Sequence, residues 1–214
     1  MNLKYAKESM VNDLVRAGHL RSHAIIRAFM EVPREAFVPK RYRDYAYMDE
    51  PLPTGWGQTI SAPHMVAMMT ELLEPKKKDK VLEIGAGSGY QAAILSKLVK
   101  SVLSVELDSR LAHTAEVNLK NAGIGNVRVV TGDGWSGYAE EAPYDKIIVT
   151  CATLEMPPAL HGQLKNGGIA IAPLGGNFKQ MLTRMEKKGS SIVHRNEGGC
   201  VFVPLRRRQG TKSV

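Results

Sequence analysis

Apolar residues change their spacing along the chain, and the change predicts where helices and strands lie. Before residue 50 they recur at helical intervals, which predicts two amphipathic helices over residues 7–17 and 22–29. Pro33 and Pro39 end that pattern, and the segment 50–57 holds too many turn residues for a long regular element. The sequence therefore predicts a helical N-terminal extension, residues 1–53, ahead of a core at 54–205.

Strand and helix patterns alternate within this core. Strands are predicted at 81–84, 101–107, 127–131, 145–150 and 169–173. Helices are predicted at 63–73, 90–99, 109–121 and 157–164. Such alternation is typical of an α/β, Rossmann-like domain with a mostly parallel, doubly wound sheet. Strand patterns at 180–187, 191–195 and 200–205 then follow one another across glycine turns at 189 and 198–199, so an antiparallel C-terminal edge is expected.

Composition and charge limit which classes of protein and which cellular compartments fit the sequence. The 214 residues suit one structural unit, and no apolar run reaches the roughly 18 residues of a membrane span. The charged first ten residues predict no secretory signal, and two cysteines without metal spacing predict a cytoplasmic protein with no metal site. Half of the net charge of +8 lies in the tail 206–214, which is expected to be solvated, with a weak polyanion or partner contact as the alternative.

A glycine-rich loop carries the first chemical signal. Gly85-Ala86-Gly87-Ser88-Gly89 follows a predicted strand and opens a predicted helix. Glycines let the backbone approach a ligand and adopt positive φ, and free N–H groups face that ligand. The loop by itself predicts only a nucleotide-like ligand.

Two acids at the ends of the next two strands narrow the choice of ligand. Glu106, followed by Leu107, is placed to accept hydrogen bonds from ribose hydroxyls, a feature that nicotinamide enzymes share. Asp133, followed by Gly134, is placed to accept from an adenine amino group. Singly, Glu106 could be a surface acid and Asp133 a turn residue. In this order, with the glycine loop, they resemble an S-adenosylmethionine pocket.

The residues after the fourth core strand do not identify the methyl acceptor. Thr150-Cys151-Ala152-Thr153 lacks the Asp/Asn-Pro-Pro-aromatic motif of many amino-group methyltransferases. Cys151 lacks the second cysteine or Pro-Cys pair of a cytosine C5 nucleophile. We therefore expect Cys151 to be a small packing residue beside the pocket.

The run GWGQTISAPHM at 55–65 is the most specific motif in the chain. Together with VLEIGAGSGYQAA at 81–93, GDG at 132–134, LKNGGIAIAPLG at 164–175 and FVPL at 202–205, it resembles the protein-L-isoaspartate O-methyltransferase family. The resemblance covers about residues 5–205 and implies the class I methyltransferase fold. It also implies methyl transfer from S-adenosylmethionine to the α-carboxylate of isoaspartyl residues in damaged proteins.

The same resemblance assigns roles to residues of that run. Ser61 matches the active-site serine, and Gln58, Thr59 and Ile60 are expected beside the cofactor. Ile60, Ser61, His64 and Val201 are expected to bind the substrate. The alternatives are that Ser61 caps the following helix and that His64 has a packing role. Val201 stands where the family often has arginine, which puts its peptide contacts in doubt.

The physical chemistry of the acceptor agrees with this assignment. A carboxylate has a pKa near 4 and is already ionised at pH 7, so no strong general base is required. We expect a monomer whose partners are isoaspartyl proteins and peptides, with neither nucleic acid nor membrane, and whose extension forms a lid over the cofactor. The rivals are an RNA or small-molecule methyltransferase that uses the basic tail, and a degenerate fold that serves as a binding module.

Overall fold

The computed structural model describes residues 2–176 and 178–207. Most of the predicted basic tail, 208–214, lies outside the described residues. Its first two members are described, and the Arg207 guanidinium lies over the Trp135 ring, 3.3 Å from the ring centroid.

Helices make up most of the N-terminal extension, and a short hairpin spans its predicted end at residue 53. Its helices are α1 Leu3–Arg16 and α2 His23–Glu31, followed by 3₁₀ helices Arg34–Phe37 and Lys40–Tyr45. The hairpin strands are β1 Leu52–Gly55 and β2 Gln58–Ile60. Helix α1 begins earlier than predicted because the Asn2 side chain accepts hydrogen bonds from the backbone N–H groups of Lys4 and Tyr5.

The core helices are α3 Pro63–Leu73, α4 Tyr90–Ser96, α5 Ser109–Asn121 and α6 Pro158–Gln163. Two more 3₁₀ helices span Gly134–Ser136 and Ala139–Glu141. The core strands are β3 Lys80–Ile84, β4 Ser101–Glu106, β5 Val127–Thr131, β6 Tyr144–Val149, β7 Leu164–Gly175, β8 Gln180–Lys188 and β9 Ser191–Cys200.

The core strands form one seven-stranded sheet in the order β5-β4-β3-β6-β7-β8-β9. Strands β3 to β7 pair in parallel, whereas β7–β8 and β8–β9 are antiparallel. This arrangement confirms the predicted fold class. The chain runs outward from β3 through β4 to β5 and then crosses to β6 on the other side of β3. In open α/β sheets, ligands bind at such a switch point, beyond the carboxyl ends of the strands.

Alternate residues of the central strands build two hydrophobic clusters, one on each face of the sheet. Val81 and Ile148 belong to a cluster that also includes Leu14, Phe29 and other residues of the extension. Leu82 and Ile147 belong to the second cluster. Because the first cluster joins extension and core, the two bury their apolar surface together.

The predicted strand at 200–205 is wrong. Strand β9 continues through the predicted turn to Cys200, and a register shift beside Gly198 absorbs the irregularity. Beyond it the chain leaves the sheet: Phe202 N–H donates to the Gln180 side chain, and Pro204 forms an isolated bridge with Ala152. Proline has no N–H to donate to a sheet, which disfavours a regular strand there. None of the described helices is long and apolar enough to span a membrane.

Candidate active site

A cavity of about 440 Å³ lies at the carboxyl ends of β3, β4 and β6. One wall is formed by the loops that follow these strands, and another by the β1–β2 hairpin and the chain leading into α3. Sequence-predicted residues in its lining are Gln58, Thr59, Ile60, Ser61, Gly85, Ala86, Gly87, Ser88, Glu106, Leu107 and Gly134. The cavity thus brings together these residues from four separate parts of the sequence.

The glycine loop is held by the neighbouring strands. Gly85 N–H donates to the Val105 carbonyl at 2.8 Å, and the Thr150 hydroxyl donates to the Gly85 carbonyl at 2.6 Å. Gly85 has φ +94°, and a Cβ there would lie 2.6 Å from Thr150 Oγ1. At Gly134 a Cβ would lie 2.4 Å from Ile84 Cγ2. Any larger residue at either position would displace the cavity wall.

Glu106 ties two loops together at this wall. One carboxylate oxygen accepts from Gly87 N–H at 3.0 Å and the other from Asp108 N–H at 3.1 Å. The carboxylate is 9% exposed and lines the cavity, so its remaining lone pairs are available to a ligand. Next to it, hydrogen bonds from the Arg110 side chain hold the pKa of Asp108 at about 2.

The hairpin tip contacts helix α5. Trp56, which stands between Gly55 and Gly57, has φ +49°, and its ring centroid lies 5.2 Å from the Arg110 guanidinium. Both Trp56 and Asp108 line the cavity. The tip therefore links the two walls through one cation–π contact.

Ser61 lies in the lining at the start of the segment that leads into α3. Its carbonyl accepts a hydrogen bond from Arg34 Nη2 at 2.9 Å. The N-cap of α3 is Ala62, with no side-chain hydrogen bond, and Pro63 is the first helical residue. The alternative that Ser61 caps this helix is therefore wrong, because the helix begins one residue later.

Three sequence-predicted residues lie beside the described lining and not within it. Asp133 caps the 3₁₀ helix Gly134–Ser136, where its carboxylate accepts from Trp135 N–H at 3.0 Å. His64 is half-exposed, and its Nδ1 lies 2.9 Å from Asp49 Oδ1. Val201 is 74% exposed. Their predicted contacts with cofactor and substrate stay predictions.

Other lining residues were not among the predicted site residues. They include Tyr90 and Gln91 of α4, Asp108 and Ser109 at the start of α5, Thr150 after β6, and Val203 to Arg206 of the C-terminal segment. Position after a parallel strand could have indicated those at 108–109 and 150. The FVPL motif at 202–205 did mark the C-terminal segment, which pairs with Ala152 beside the cavity. Cys151 lies in the lining, where a packing residue was expected beside the pocket. Cys151 is buried, and burial raises the pKa of its thiol, which suits packing and not nucleophilic attack.

A second carboxyl group lies buried in β3. Glu83 is 0% exposed and accepts a hydrogen bond from the Ser104 hydroxyl. Burial, aided by the negative charge of Glu106, raises the pKa of Glu83 to about 8. Glu83 is therefore protonated at neutral pH. Glu106 carries a negative charge at the cavity wall, while the buried Glu83 carboxyl behind it is neutral.

Comparison with known proteins identifies the family of this chain. The family model of protein-L-isoaspartate(D-aspartate) O-methyltransferase matches residues 5–210. A Methanopyrus kandleri protein named protein-L-isoaspartate O-methyltransferase is 49% identical over 210 residues, covering 96% of this chain and 93% of the relative. A Dictyoglomus turgidum protein of the same name is 45% identical over 209 residues, covering 98% and 94%.

Two solved structures extend the comparison from the sequence to the fold. One, named protein-L-isoaspartate O-methyltransferase, superposes with a TM-score of 0.85 at 34% identity, and covers 92% of this chain and 65% of that longer chain. A Plasmodium falciparum structure of the same enzyme name, in complex with S-adenosyl-L-homocysteine, superposes with a TM-score of 0.82 at 24% identity, covering 96% and 99%. The second supports the fold alone. Together with the family match, these comparisons show that the chain belongs to the S-adenosylmethionine-dependent protein-L-isoaspartate O-methyltransferase family.

Proposed function

We propose that this protein transfers a methyl group from S-adenosylmethionine to the α-carboxylate of L-isoaspartyl residues in damaged proteins and peptides. The observation that carries the proposal is one cavity lined both by the Gly85–Ser88 loop with Glu106 and by the 58–61 segment. The predicted cofactor residues and the predicted acceptor residues therefore share a single space. In-line methyl transfer requires that arrangement.

The residues of the first wall fit the cofactor. S-adenosylmethionine supplies an electrophilic methyl group on a sulfonium when it is bound. The Glu106 carboxylate would accept from the ribose hydroxyls while it continues to hold Gly87 and Asp108. Gly85, where a Cβ would strike Thr150, lets the loop pack closely against the end of β6. Ala86, Ser88, Leu107 and Gly134 would complete the cofactor contacts of this wall, and Gln58, Thr59 and Ile60 would reach the cofactor from the other wall. Asp133 would approach the adenine from beside the lining.

The residues of the second wall would orient the acceptor. The isoaspartyl carboxylate is ionised at neutral pH, so its oxygen is already nucleophilic and needs placement and shelter from water. We assign Ser61 the catalytic role of donating a hydrogen bond to that carboxylate. Ile60 would pack against the substrate, and His64 and Val201 would contact its flanking backbone.

A methylation assay on two matched peptides, one with isoaspartate and one with aspartate, tests this function. Labelled S-adenosylmethionine should methylate a peptide that contains isoaspartate and leave the matched aspartate peptide unlabelled. Equal labelling of both peptides, or labelling of neither, contradicts the proposal. Loss of activity on removing residues 206–214 would favour an RNA or small-molecule acceptor.

A serine substitution tests the assignment of Ser61. Ser61→Ala should keep cofactor affinity and lower kcat by about 10–1000-fold, in the range observed when one positioned donor is removed. Ser191→Ala, at an exposed position in β9, is the matched control and should retain full activity. A Ser61→Ala enzyme with the kcat of the control would remove Ser61 from the mechanism.

We further propose that the protein works as a cytoplasmic monomer on isoaspartyl proteins, without nucleic acid, and that the extension 1–53 covers the cofactor site as a lid. Phe29 and Phe37 support the lid role because their rings pack edge-on against Tyr90, which lines the cavity. S-adenosylhomocysteine should then slow proteolytic cleavage within 50–57. Unchanged cleavage would contradict the lid.

A further inference from the structure

Arg34 is a buried cation behind the acceptor wall. It lies in the 3₁₀ helix Arg34–Phe37 and is 0% exposed. Its Nε donates to the Ala46 carbonyl at 2.7 Å and its Nη2 to the Ser61 carbonyl at 2.9 Å. The guanidinium carbon lies 4.9 Å from the centroid of the Tyr90 ring. One side chain thus contacts three segments that are distant in sequence.

This arrangement is costly for a residue that serves stability alone. Desolvation lowers the pKa of Arg34, yet a guanidinium stays protonated at neutral pH. Arg34 is in none of the ion pairs found among the described residues, and Tyr90, Asp49 and Tyr47 offset part of the desolvation of its charge. Replacing a buried charged side chain by a well-packed apolar one often leaves the stability of a core unchanged or raises it. The specific property of arginine here is its planar fork, which spans two carbonyl acceptors.

Two of the three segments that Arg34 joins line the cavity. Ala46 follows the second 3₁₀ helix of the extension, Ser61 lies in the acceptor wall, and Tyr90 begins α4 and lines the cavity. Their separation along the chain means that no local turn or helix holds Ser61 relative to Tyr90. The guanidinium provides that connection, through a hydrogen bond on one side and a stacked ring on the other.

We propose that Arg34 is a positioning residue for methyl transfer, holding Ser61 at a set distance from the cofactor wall through Tyr90. The inference rests on the proposed function and deepens it, because it makes the N-terminal extension part of the catalytic apparatus. Arg34 acts through the Ser61 backbone and its neighbours and does not touch the reacting atoms. The positive charge behind Ser61 also favours an acceptor that carries negative charge.

Two substitutions separate the fork from the charge. Arg34→Lys keeps the positive charge but cannot bridge both carbonyls. Arg34→Met keeps much of the side-chain volume but loses the charge and the planar fork. Both should lower kcat for the isoaspartyl peptide by about 10–100-fold, as a displacement near 1 Å does, while S-adenosylhomocysteine affinity changes less than threefold. Full kcat in Arg34→Lys would overturn the role of the fork.

The matched control is Arg41→Met. Arg41 also stacks on a ring, with its guanidinium 4.9 Å from the Tyr42 centroid, but it is exposed. It should keep the wild-type kcat. A loss of kcat equal to that of Arg34→Met would overturn the inference, because it would attribute the effect to loss of any stacked arginine in the extension.

Hydrogen exchange gives a readout that is independent of activity. Amides 58–62 should exchange at least tenfold faster in Arg34→Lys than in the wild type, while β3 and β4 amides are unchanged. Unchanged exchange at 58–62 overturns the inference. A wild type that methylates neither peptide defeats the proposed function, whereas an active wild type with fully active Arg34 variants defeats this inference alone.

A measurement on the wild type covers the case in which neither Arg34 variant folds. In ¹⁵N-labelled protein, the Arg34 Nε–H signal should be protected from solvent exchange and should shift when isoaspartyl peptide is added to the S-adenosylhomocysteine complex. If the Arg34 Nε–H exchanges freely with solvent, or if its signal does not shift when the peptide is added, the inference is overturned.

Discussion

The two walls of the cavity are held in place by different kinds of contact. The cofactor wall is tied by backbone hydrogen bonds between adjacent strands and loops, such as Gly85 N–H to the Val105 carbonyl at 2.8 Å. The acceptor wall is a hairpin of two strands, four and three residues long, and a loop that Arg34 reaches from 27 residues away. A two-stranded hairpin has little stability of its own.

This difference indicates how each wall should respond to mutation. The cofactor wall is part of the sheet, so it should fail only when its own geometry is disturbed. The acceptor wall depends on side chains from elsewhere, so distant substitutions should change it. Each wall also has a buried ionisable residue behind it, Glu83 for the first and Arg34 for the second, and both are 0% exposed.

The largest expected effect is that of Gly85→Ala on the cofactor wall. Its φ of +94° and the 2.6 Å approach of Thr150 Oγ1 leave no room for a Cβ. Affinity for S-adenosylhomocysteine should fall by about 100-fold, which corresponds to about 3 kcal/mol of strain and displacement. Calorimetric titration measures the change.

The matched control for that glycine is Gly123→Ala. Gly123 also has positive φ, +68°, but has open space around it at the end of α5. It should lose about 1 kcal/mol of stability and keep its cofactor affinity. If the two variants bind S-adenosylhomocysteine equally, the geometry of the glycine loop does not determine affinity.

The next largest effect should come from Glu106→Gln. Glutamine has one acceptor oxygen where glutamate uses two, so Gly87 N–H or Asp108 N–H loses its partner. Cofactor affinity should fall by about 10–100-fold, the value of a hydrogen bond to a charged group. Glu116→Gln, at an exposed position on α5, should have no effect in the same titration. Unchanged affinity in Glu106→Gln would show that the two loops hold their positions without it.

Glu83→Gln tests the buried acid behind the cofactor wall. Burial raises the pKa of Glu83 from its ordinary value of 4.5 to about 8 in the folded state. The folded protein therefore keeps a proton that the unfolded chain releases between those pH values. The stability contribution is complete below about pH 4.5 and is lost as the pH rises to 8, with a slope of about 1.4 kcal/mol per pH unit.

The variant removes that titration. Denaturant unfolding at pH 5, 6, 7 and 8 should show Glu83→Gln gaining on the wild type at each step, because its amide does not ionise. The exposed Glu31→Gln should run parallel to the wild type. A constant difference between Glu83→Gln and the wild type over this range would mean that Glu83 does not carry the proton.

The smallest effect is expected for Trp56→Ala at the hairpin tip, where the walls meet. The Trp56 ring is 45% exposed and lies 5.2 Å from the Arg110 guanidinium. An exposed cation–π contact is weak, so cofactor affinity should fall by about two- to fivefold. Trp56→Phe keeps a ring and should recover most of the loss. An equal loss in both variants would attribute the effect to the hairpin backbone.

The order of strands and helices in the core could be predicted from the sequence because the signals are local. An apolar run that ends at a glycine marked β3, an apolar run that ends at Glu106 marked β4, and parallel strand ends must meet at one edge of the sheet. That rule places the glycine loop and Glu106 together from the sequence alone. It also explains why Asp133 was expected in the pocket, although the lining there comes from Gly134.

The same reasoning failed at the C-terminus. Residues 200–205 have the apolar composition of a strand, but whether they join a sheet depends on what lies beside them. Gln180 offers Phe202 N–H a side-chain oxygen, and Ala152 pairs with the chain on either side of Pro204. As a result Val203 to Arg206 line the cavity and Val201 faces solvent.

The sequence by itself determined the fold class, the loop that follows β3 and the specific 55–65 motif, since each depends on residues close together in the chain. Tertiary structure alone decided that Arg34, Ala46, Ser61 and Tyr90 meet. Nothing in the pattern around residue 34 marks that arginine as buried. Burial of a guanidinium is tolerated only where carbonyls and a ring from other segments surround it, and folding of the whole chain brings those groups together.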